Sequence, residues 1–363
     1  MTKEIRVELG VRSYSIRIGT GLLDEIGPSV RAALASGPPT SVAAVVTDSR
    51  VAGLHLERVT ASLRSAGYQV VEIQIPEGET HKNLAWLALT YDRLIEGRLE
   101  RSSPIVALGG GVVGDLAGFA AATYLRGVPL VQVPTTLLAQ VDAAIGGKTA
   151  VNHVAGKNLI GAFHQPRLVA IDVETLRTLP RREFVAGLAE VVKYGAILDA
   201  ALFEMIESEA SRILALDRER LIDVIATCCR LKAMVVEKDE TEGDLRAILN
   251  FGHTVGHAIE TLTDYTEFLH GEAVAIGMVA AARLSRRRGL LGADVERRLA
   301  ALLERLGLPT RIPEDLGAEA IALAVETDKK AAGGKIRYVC LEAIGRTRFE
   351  RLTAAEIAAA TAS

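Results

Sequence analysis

Three histidines and one distant carboxylate are the residues best suited to chemistry in this chain. His253 and His257 stand in Asn250-Phe251-Gly252-His253-Thr254-Val255-Gly256-His257, and His270 follows in Leu269-His270-Gly271-Glu272. Glu190 lies far upstream, in Gly187-Leu188-Ala189-Glu190-Val191-Val192-Lys193-Tyr194-Gly195. Imidazole nitrogen and carboxylate oxygen suit a borderline divalent ion, and three protein ligands leave the open position that a catalytic zinc needs. By spacing alone, His253 could instead share a metal with His257 at i, i+4. A lone histidine in an apolar helix is usually a core or cap residue. The gathering of these histidines among glycines favours a metal site instead.

A second signal is Gly109-Gly110-Gly111-Val112-Val113-Gly114-Asp115, which follows a predicted strand and opens a predicted helix. The spacing is GxGxxG. Glycines let the backbone approach a pyrophosphate, and the helix N-terminus offers free N–H groups and a positive dipole end. The acid expected further on to hold a ribose is absent, and Asp48, ending an earlier strand, could do that job. The bland alternative is a glycine turn needed only for strand–helix packing. Thr135 and Thr136, in the loop Pro134–Asp142, could bind ribose or phosphate or could be N-caps.

Lysines among glycines form a third group. Ala144-Ile145-Gly146-Gly147-Lys148-Thr149 and Gly156-Lys157-Asn158 suggest an anionic ligand, because flexible backbone lets ammonium groups converge. A Walker A loop is excluded, since the first glycine of its spacing is missing. Lys193 lies on the same helix face as Glu190. Lys238, Arg246, Asn250 and His257 continue the polar theme, and Asp328-Lys329-Lys330 and Lys335 add charge near the C-terminus. Singly, each reads as a solvated residue; their grouping near the metal candidates supports an anion site.

The elements that must position these groups change character along the chain. Residues 4–9 and 13–18 alternate as a hairpin. Strands at 41–47, 69–75, 104–108, 130–133 and 168–173 alternate with helices, which implies a parallel, doubly wound sheet. Helices then dominate, at 181–197, 200–215, 218–238, 253–264, 271–288, 293–306 and 316–326. Two short strands (336–341 and 348–352) and an alanine-rich final helix follow. The fold class is therefore α/β, an N-terminal Rossmann-like parallel-sheet domain (1–177) plus a mainly α-helical C-terminal domain (178–363). A cleft between two such domains is the natural place for a ligand.

Composition excludes other classes. Acidic and basic residues nearly balance, 45 against 42, so there is no broad basic field for nucleic acid. No apolar run approaches a membrane span, and Met1–Arg6 opens no secretion segment. The three cysteines, two of them adjacent, fit neither a disulfide framework nor a zinc spacing. A reducing cytoplasm fits that usage.

Six segments together resemble the 3-dehydroquinate synthases, sugar-phosphate cyclases of the shikimate pathway. They are GGGVVGDLAGFAAATYLRG (109–127), VPTTLLAQVDAAIGGKTAVN (133–152), GKNLIGAFHQP (156–166), AEVVKYG (189–195), LNFGHTVGHAIE (249–260) and LHGEAVAIGM (269–278). The resemblance implies zinc, or cobalt in its place, held by Glu190, His253 and His270, with His257 given to the substrate phosphate region. It implies NAD contacts at Asp48, Glu79, Lys82, Gly109, Gly110, Gly111, Val112, Gly114, Asp115, Thr135, Thr136, Lys148, Lys157, Thr178 and Leu179. Catalytic roles would fall to Asp142, Lys148, Lys193, Lys238, Arg246, Asn250 and His257, and substrate binding to Lys157, Asn158 and Lys335. Arg126 resembles the arginine that reaches across a homodimer interface in this family. Arg50 departs from the asparagine common there. The implied reaction converts 3-deoxy-D-arabino-heptulosonate 7-phosphate to 3-dehydroquinate and phosphate, by oxidation with NAD, elimination, re-reduction and aldol closure. Rival readings are another sugar-phosphate cyclase, a metal-dependent polyol dehydrogenase, and a non-catalytic NAD-binding regulator.

Overall fold

The computed structural model describes residues 2–328 and 334–361. The chain divides into two compact units, Met1–Leu179 with Leu221–Thr241, and Pro180–Arg220 with Glu242–Ser363.

In the first unit, β1 (Lys3–Val7), β2 (Tyr14–Gly19), β3 (Val42–Asp48), β4 (Gln69–Ile75), β5 (Ile105–Gly109), β6 (Leu130–Pro134) and β9 (Leu168–Asp172) form one seven-stranded sheet. Its order is β1-β2-β9-β6-β5-β3-β4. Only the β1–β2 hairpin is antiparallel; every other pairing is parallel. Strands buried on both faces must be apolar throughout, which is why β3, β5 and β6 read as continuous hydrophobic runs. Alternate residues then serve two cores. Ala44, Val46, Ile105 and Ala107 pack with Leu87 and Leu94 of the helix Leu84–Glu96 and with Val113 and Leu116 of the helix Gly111–Thr123. Ala43, Val45, Val106 and Leu108 pack with Ile26 and Val30 of the helix Ile26–Ala33 and with Val59 and Leu63 of the helix Glu57–Ser65.

Two features of this unit differ from the sequence expectation. The Gly- and Lys-rich run is a second sheet, the antiparallel pair β7 (Lys148–His153) and β8 (Gly156–Phe163), with Lys148 opposite Phe163. Its glycines hid the strand alternation. At Gly161 a Cβ would lie 2.2 Å from the Thr149 carbonyl, so the close pairing itself demands glycine. The helix Arg218–Lys238, expected in the second domain, belongs from Leu221 onward to the first unit. It is fastened there by Lys3 Nζ to Asp223 (2.6 Å), by Lys232 Nζ to Asp142 (2.5 Å) and by the Cys229 thiol to the Gln140 carbonyl (3.4 Å).

The second unit holds the helices Arg181–Leu198, Ala200–Leu214, His253–Leu262, His270–Arg287, Ala293–Arg305 and Ala318–Asp328. It also holds the hairpin β10 (Ile336–Ala343) and β11 (Arg346–Leu352), and the helix Ala354–Ala359 capped by Thr353. Glycines set how closely its helices meet. A Cβ on Gly277 would sit 1.9 Å from the Gly252 carbonyl, and one on Gly271 1.9 Å from the Ala186 carbonyl. Backbone therefore lies on backbone where the His253, His270 and Glu190 helices touch. Gly271→Ala is expected to destabilise the fold by about 1–3 kcal/mol or more by overpacking, and to weaken metal binding with it, because it pushes His270 away from Glu190. Urea unfolding and metal titration of the same variant check this; a neutral result in both would remove the packing argument.

Candidate active site

The second unit brings Glu190, His253 and His270 together, with ligand atoms within 4.8 Å of one another. Glu190 is fully buried in the middle of its helix. His253 is the first residue of its helix, entered through Gly252 at φ 81°, and His270 is the first residue of the next. His253 Nε2 lies 3.5 Å and His270 Nε2 3.9 Å from Glu190 Oε1. The other nitrogen of each ring is already engaged: His253 Nδ1 donates to the Phe251 carbonyl (3.2 Å), and His270 Nδ1 to Glu260 Oε2 (3.1 Å). Both Nε2 atoms thus face the same carboxylate, the arrangement of a histidine ligand oriented from behind.

Charge points the same way. Glu190 ion-pairs with Lys193, itself 1% exposed, yet neither Glu190 oxygen receives a well-aligned hydrogen bond among the described residues. Lys193 meets Oε2, but Oε1, the oxygen that both imidazoles face, has no close partner among those residues, and a buried carboxylate oxygen left so is costly unless a cation meets it. Two imidazoles and a carboxylate are a suitable donor set for zinc, and the residues fit such an ion. The His270 side chain keeps 31% exposure, which leaves the cluster reachable from solvent.

Burial, and secondarily the Lys193 charge, hold His253 well below its usual pKa, so its ring is neutral and ready to ligate. Burial also opposes charge on His270, but the Glu260 hydrogen bond and carboxylate outweigh it and the net shift is upward. A metal must displace that proton. Raising His270 means protons compete from a higher pH, so apparent metal affinity is expected to weaken as pH falls from about 8 to about 6. Calorimetric titration across that range, with proton release read from buffers of different ionisation enthalpy, checks the sign. A flat profile would contradict it.

His257 lies beside this cluster, its ring centroid 5.5 Å from that of His253 and 6.0 Å from that of His270. Arg246 is almost wholly buried and Asn250 half-buried in the turn Leu245–Asn250 that leads into the His253 helix. Lys335 is exposed, and Lys329 and Lys330 fall outside the described residues.

The first unit gathers its own set at the C-terminal ends of β5 and β6, where open α/β sheets bind ligands. Gly110 is the N-cap of the helix Gly111–Thr123 and carries no capping side chain, so that helix meets its surroundings with bare N–H groups. A Cβ on Gly110 would come 3.0 Å from Thr136, and one on Gly114 3.0 Å from Gln132 on β6. Gly114 is thus accounted for by tight helix–sheet packing, while Gly110, Gly111 and Val112 stay partly open. The Thr135 N–H donates to the Gly109 carbonyl, and Thr136 Oγ1 accepts from the Ala139 N–H, a capping role that leaves the O–H able to donate. Asp48 Oδ1 likewise accepts from the N–H groups of Arg50 and Val51. Thr178 Oγ1 contacts His55 Nε2 at 3.0 Å, and Leu179 is half-buried after it.

Nearby, Lys82 is 4% exposed and reaches Glu79 and Asp115, each at 3.0 Å. Burial pushes Asp115 up to about 6 despite the pull of Lys82. Asn152, which sequence reading passed over, donates to Glu79 Oε1 (2.7 Å) and accepts from the Asn158 N–H (2.9 Å), tying the β7–β8 turn to this group. Asn158 is held at φ 56°, and Lys157 beside it is half-buried. Lys148 is exposed at the start of β7, and Arg126 is exposed in a turn where Leu125, Arg126 and Gly127 all have positive φ.

Asp142 brings in a lysine that the sequence reading did not single out. It ion-pairs with Lys232, which is 5% exposed, whereas Lys238 is exposed at the end of the same helix. The signal was available: Lys232 interrupts an apolar face in Cys228-Cys229-Arg230-Leu231-Lys232-Ala233, where a charge needs a partner.

Comparison with known proteins decides the family. The model of the 3-dehydroquinate synthase N-terminal region matches residues 72–186, and that of the C-terminal region matches residues 187–331. The chain belongs to the 3-dehydroquinate synthase family. A 3-dehydroquinate synthase from Citrifermentans bemidjiense is 53% identical over 97% of this chain and 96% of its own length. The fold of the family extends to related cyclases. One is a 2-epi-5-epi-valiolone synthase from Streptomyces hygroscopicus, solved with NAD+ and Zn2+ bound. It superposes with a TM-score of 0.87 at 29% identity, covering 97% of this chain and 96% of that one. Another is a 2-deoxy-scyllo-inosose synthase complexed with carbaglucose-6-phosphate, NAD+ and Co2+, at a TM-score of 0.88 and 27% identity, covering 99% of each chain.

Proposed function

We propose that the protein is a 3-dehydroquinate synthase, a phosphate-eliminating lyase that turns 3-deoxy-D-arabino-heptulosonate 7-phosphate into 3-dehydroquinate and inorganic phosphate. The observation that carries the reading is the convergence of His253 and His270 on the buried Glu190 carboxylate, in a chain 53% identical to the 3-dehydroquinate synthase of Citrifermentans bemidjiense. The other cyclases share only 27–29% identity, which ranks them behind it.

In this reading NAD lies along the Gly109–Asp115 turn, with Asp48, Glu79, Lys82, Thr135, Thr136, Thr178 and Leu179 around it. The bare helix N-terminus after Gly110 suits its pyrophosphate. Zinc or cobalt is held by Glu190, His253 and His270, and supplies a Lewis acid that eases ionisation of a coordinated hydroxyl. Lys193, ion-paired with Glu190, holds that carboxylate in place. Arg246 is the natural partner of the substrate carboxylate, because its planar fork matches two oxygens at once. Lys148, Lys157, Asn158, Asn250, His257 and Lys335 supply donors for the phosphate and ring hydroxyls. Lys232, paired with Asp142, takes the role first given to Lys238. Arg126 serves a homodimer interface, and the enzyme works in the cytoplasm; no helix among the described residues is long and apolar enough to cross a membrane.

The test is to supply the heptulosonate phosphate with catalytic NAD+ and zinc, then follow phosphate and dehydroquinate. Stoichiometric product without accumulating NADH supports the cyclase. Net NADH from simple polyols would instead support a dehydrogenase, and turnover only of glucose 6-phosphate or sedoheptulose 7-phosphate another cyclase. Lys148→Ala is expected to lower turnover on the order of a hundredfold, with a smaller change in NAD affinity, by removing a cation that steadies developing charge. An unchanged rate would take Lys148 out of the site.

A further inference from the structure

We propose that Glu260 is a positioning residue that locks His270 in the one ring orientation and tautomer able to ligate, and so sets the metal affinity of the site. The inference rests on the metal-site reading above and adds a residue that need not touch the ion. Glu260 is 5% exposed and stands on the same helix as His253 and His257. Its Oε2 lies 3.1 Å from His270 Nδ1. An ionised carboxylate can only accept, so Nδ1 carries the proton and Nε2 keeps the lone pair. That Nε2 is the atom 3.9 Å from Glu190 Oε1.

The two histidines are held differently. His253 is oriented by a backbone carbonyl, Phe251, which no substitution at that residue removes. His270 depends on a side chain, and it is also the more exposed of the two, at 31% against 11%. A ring that is partly open to solvent has more freedom to lose on binding, so its restraint matters more to affinity.

A rival role exists, because His257, Glu260 and His270 also bring ligand atoms within 4.8 Å. A second ion there would have to share His270. The Glu260 hydrogen bond already occupies Nδ1, which leaves that ring one nitrogen for a metal.

The experiment uses the full-length protein, stripped of metal and titrated with Co2+ and with Zn2+ against a competing chelator. Glu260→Ala is expected to weaken both ions about 10–100-fold and to alter the visible spectrum of the cobalt form. Glu260→Gln, whose amide oxygen can still accept from Nδ1, should recover most of the affinity and the wild-type spectrum. Stoichiometry should be one ion per chain. If the alanine variant does not fold, Glu260→Asp carries the test, since it withdraws the oxygen by one methylene and must also weaken binding. Glu190→Gln is the control. Wild-type affinity and spectrum in Glu260→Ala, while Glu190→Gln loses the ion, would overturn the positioning role alone. So would two ions per wild-type chain falling to one. Retention of metal by Glu190→Gln would overturn the metal-site reading instead.

Discussion

His270→Ala is expected to abolish bound metal and dehydroquinate formation together. The substitution removes one of three protein ligands and frees Glu260 from its imidazole partner at the same time. Two remaining ligands, Glu190 and His253, cannot define a tetrahedral site with a single open position. Loss of the Lewis acid costs several kcal/mol of transition-state stabilisation, on the order of a thousandfold or more in turnover. Metal content by elemental analysis and phosphate release by coupled assay report the two losses independently. The scaffold should survive, because His270 begins its helix and its side chain is 31% exposed, so truncation there opens no large interior cavity. Full metal occupancy in the variant, with or without activity, would contradict the ligand assignment.

The second large effect separates two lysines of one helix. Lys232→Met should lower turnover on the order of 10²–10³-fold, whereas Lys238→Ala should leave kinetics and stability close to the parent. Lys232 is buried beside the part-buried Asp142, where its charge is less screened than at the surface. Methionine keeps most of the volume and removes only the ammonium group. Lys238 is solvated at the helix end, where a substitution removes little. Breaking a buried pair also costs stability, so urea unfolding must accompany the kinetics; Asp142 keeps 26% side-chain exposure, which tempers that cost. A crippled Lys238→Ala beside a normal Lys232→Met would return the role to Lys238.

Much of the architecture was legible because period is a local property. The buried strands β3, β5, β6 and β9 and the helices at 181–198 and 218–238 declare themselves through runs and spacings of apolar residues. The β7–β8 hairpin did not, since glycines and lysines occupy positions where the alternation should have been read. Nor did the allegiance of the helix Arg218–Lys238, whose apolar face could have served either unit. Thr136 shows the same limit at a single side chain: a hydroxyl after a strand can cap, bind or do both, and only the folded chain shows the Ala139 N–H that it accepts from.

The order of residues alone determined the metal candidates, the glycine turn after β5, and a parallel sheet followed by helices, because residue chemistry and short-range spacing are written along the chain. Tertiary structure alone decided that Glu190 meets His253 and His270, that Glu260 and Phe251 contact those rings, and that Lys232 pairs with Asp142. Those are contacts between segments remote in sequence. They depend on which helix faces come together, and here on glycines that let backbones approach to contact distance.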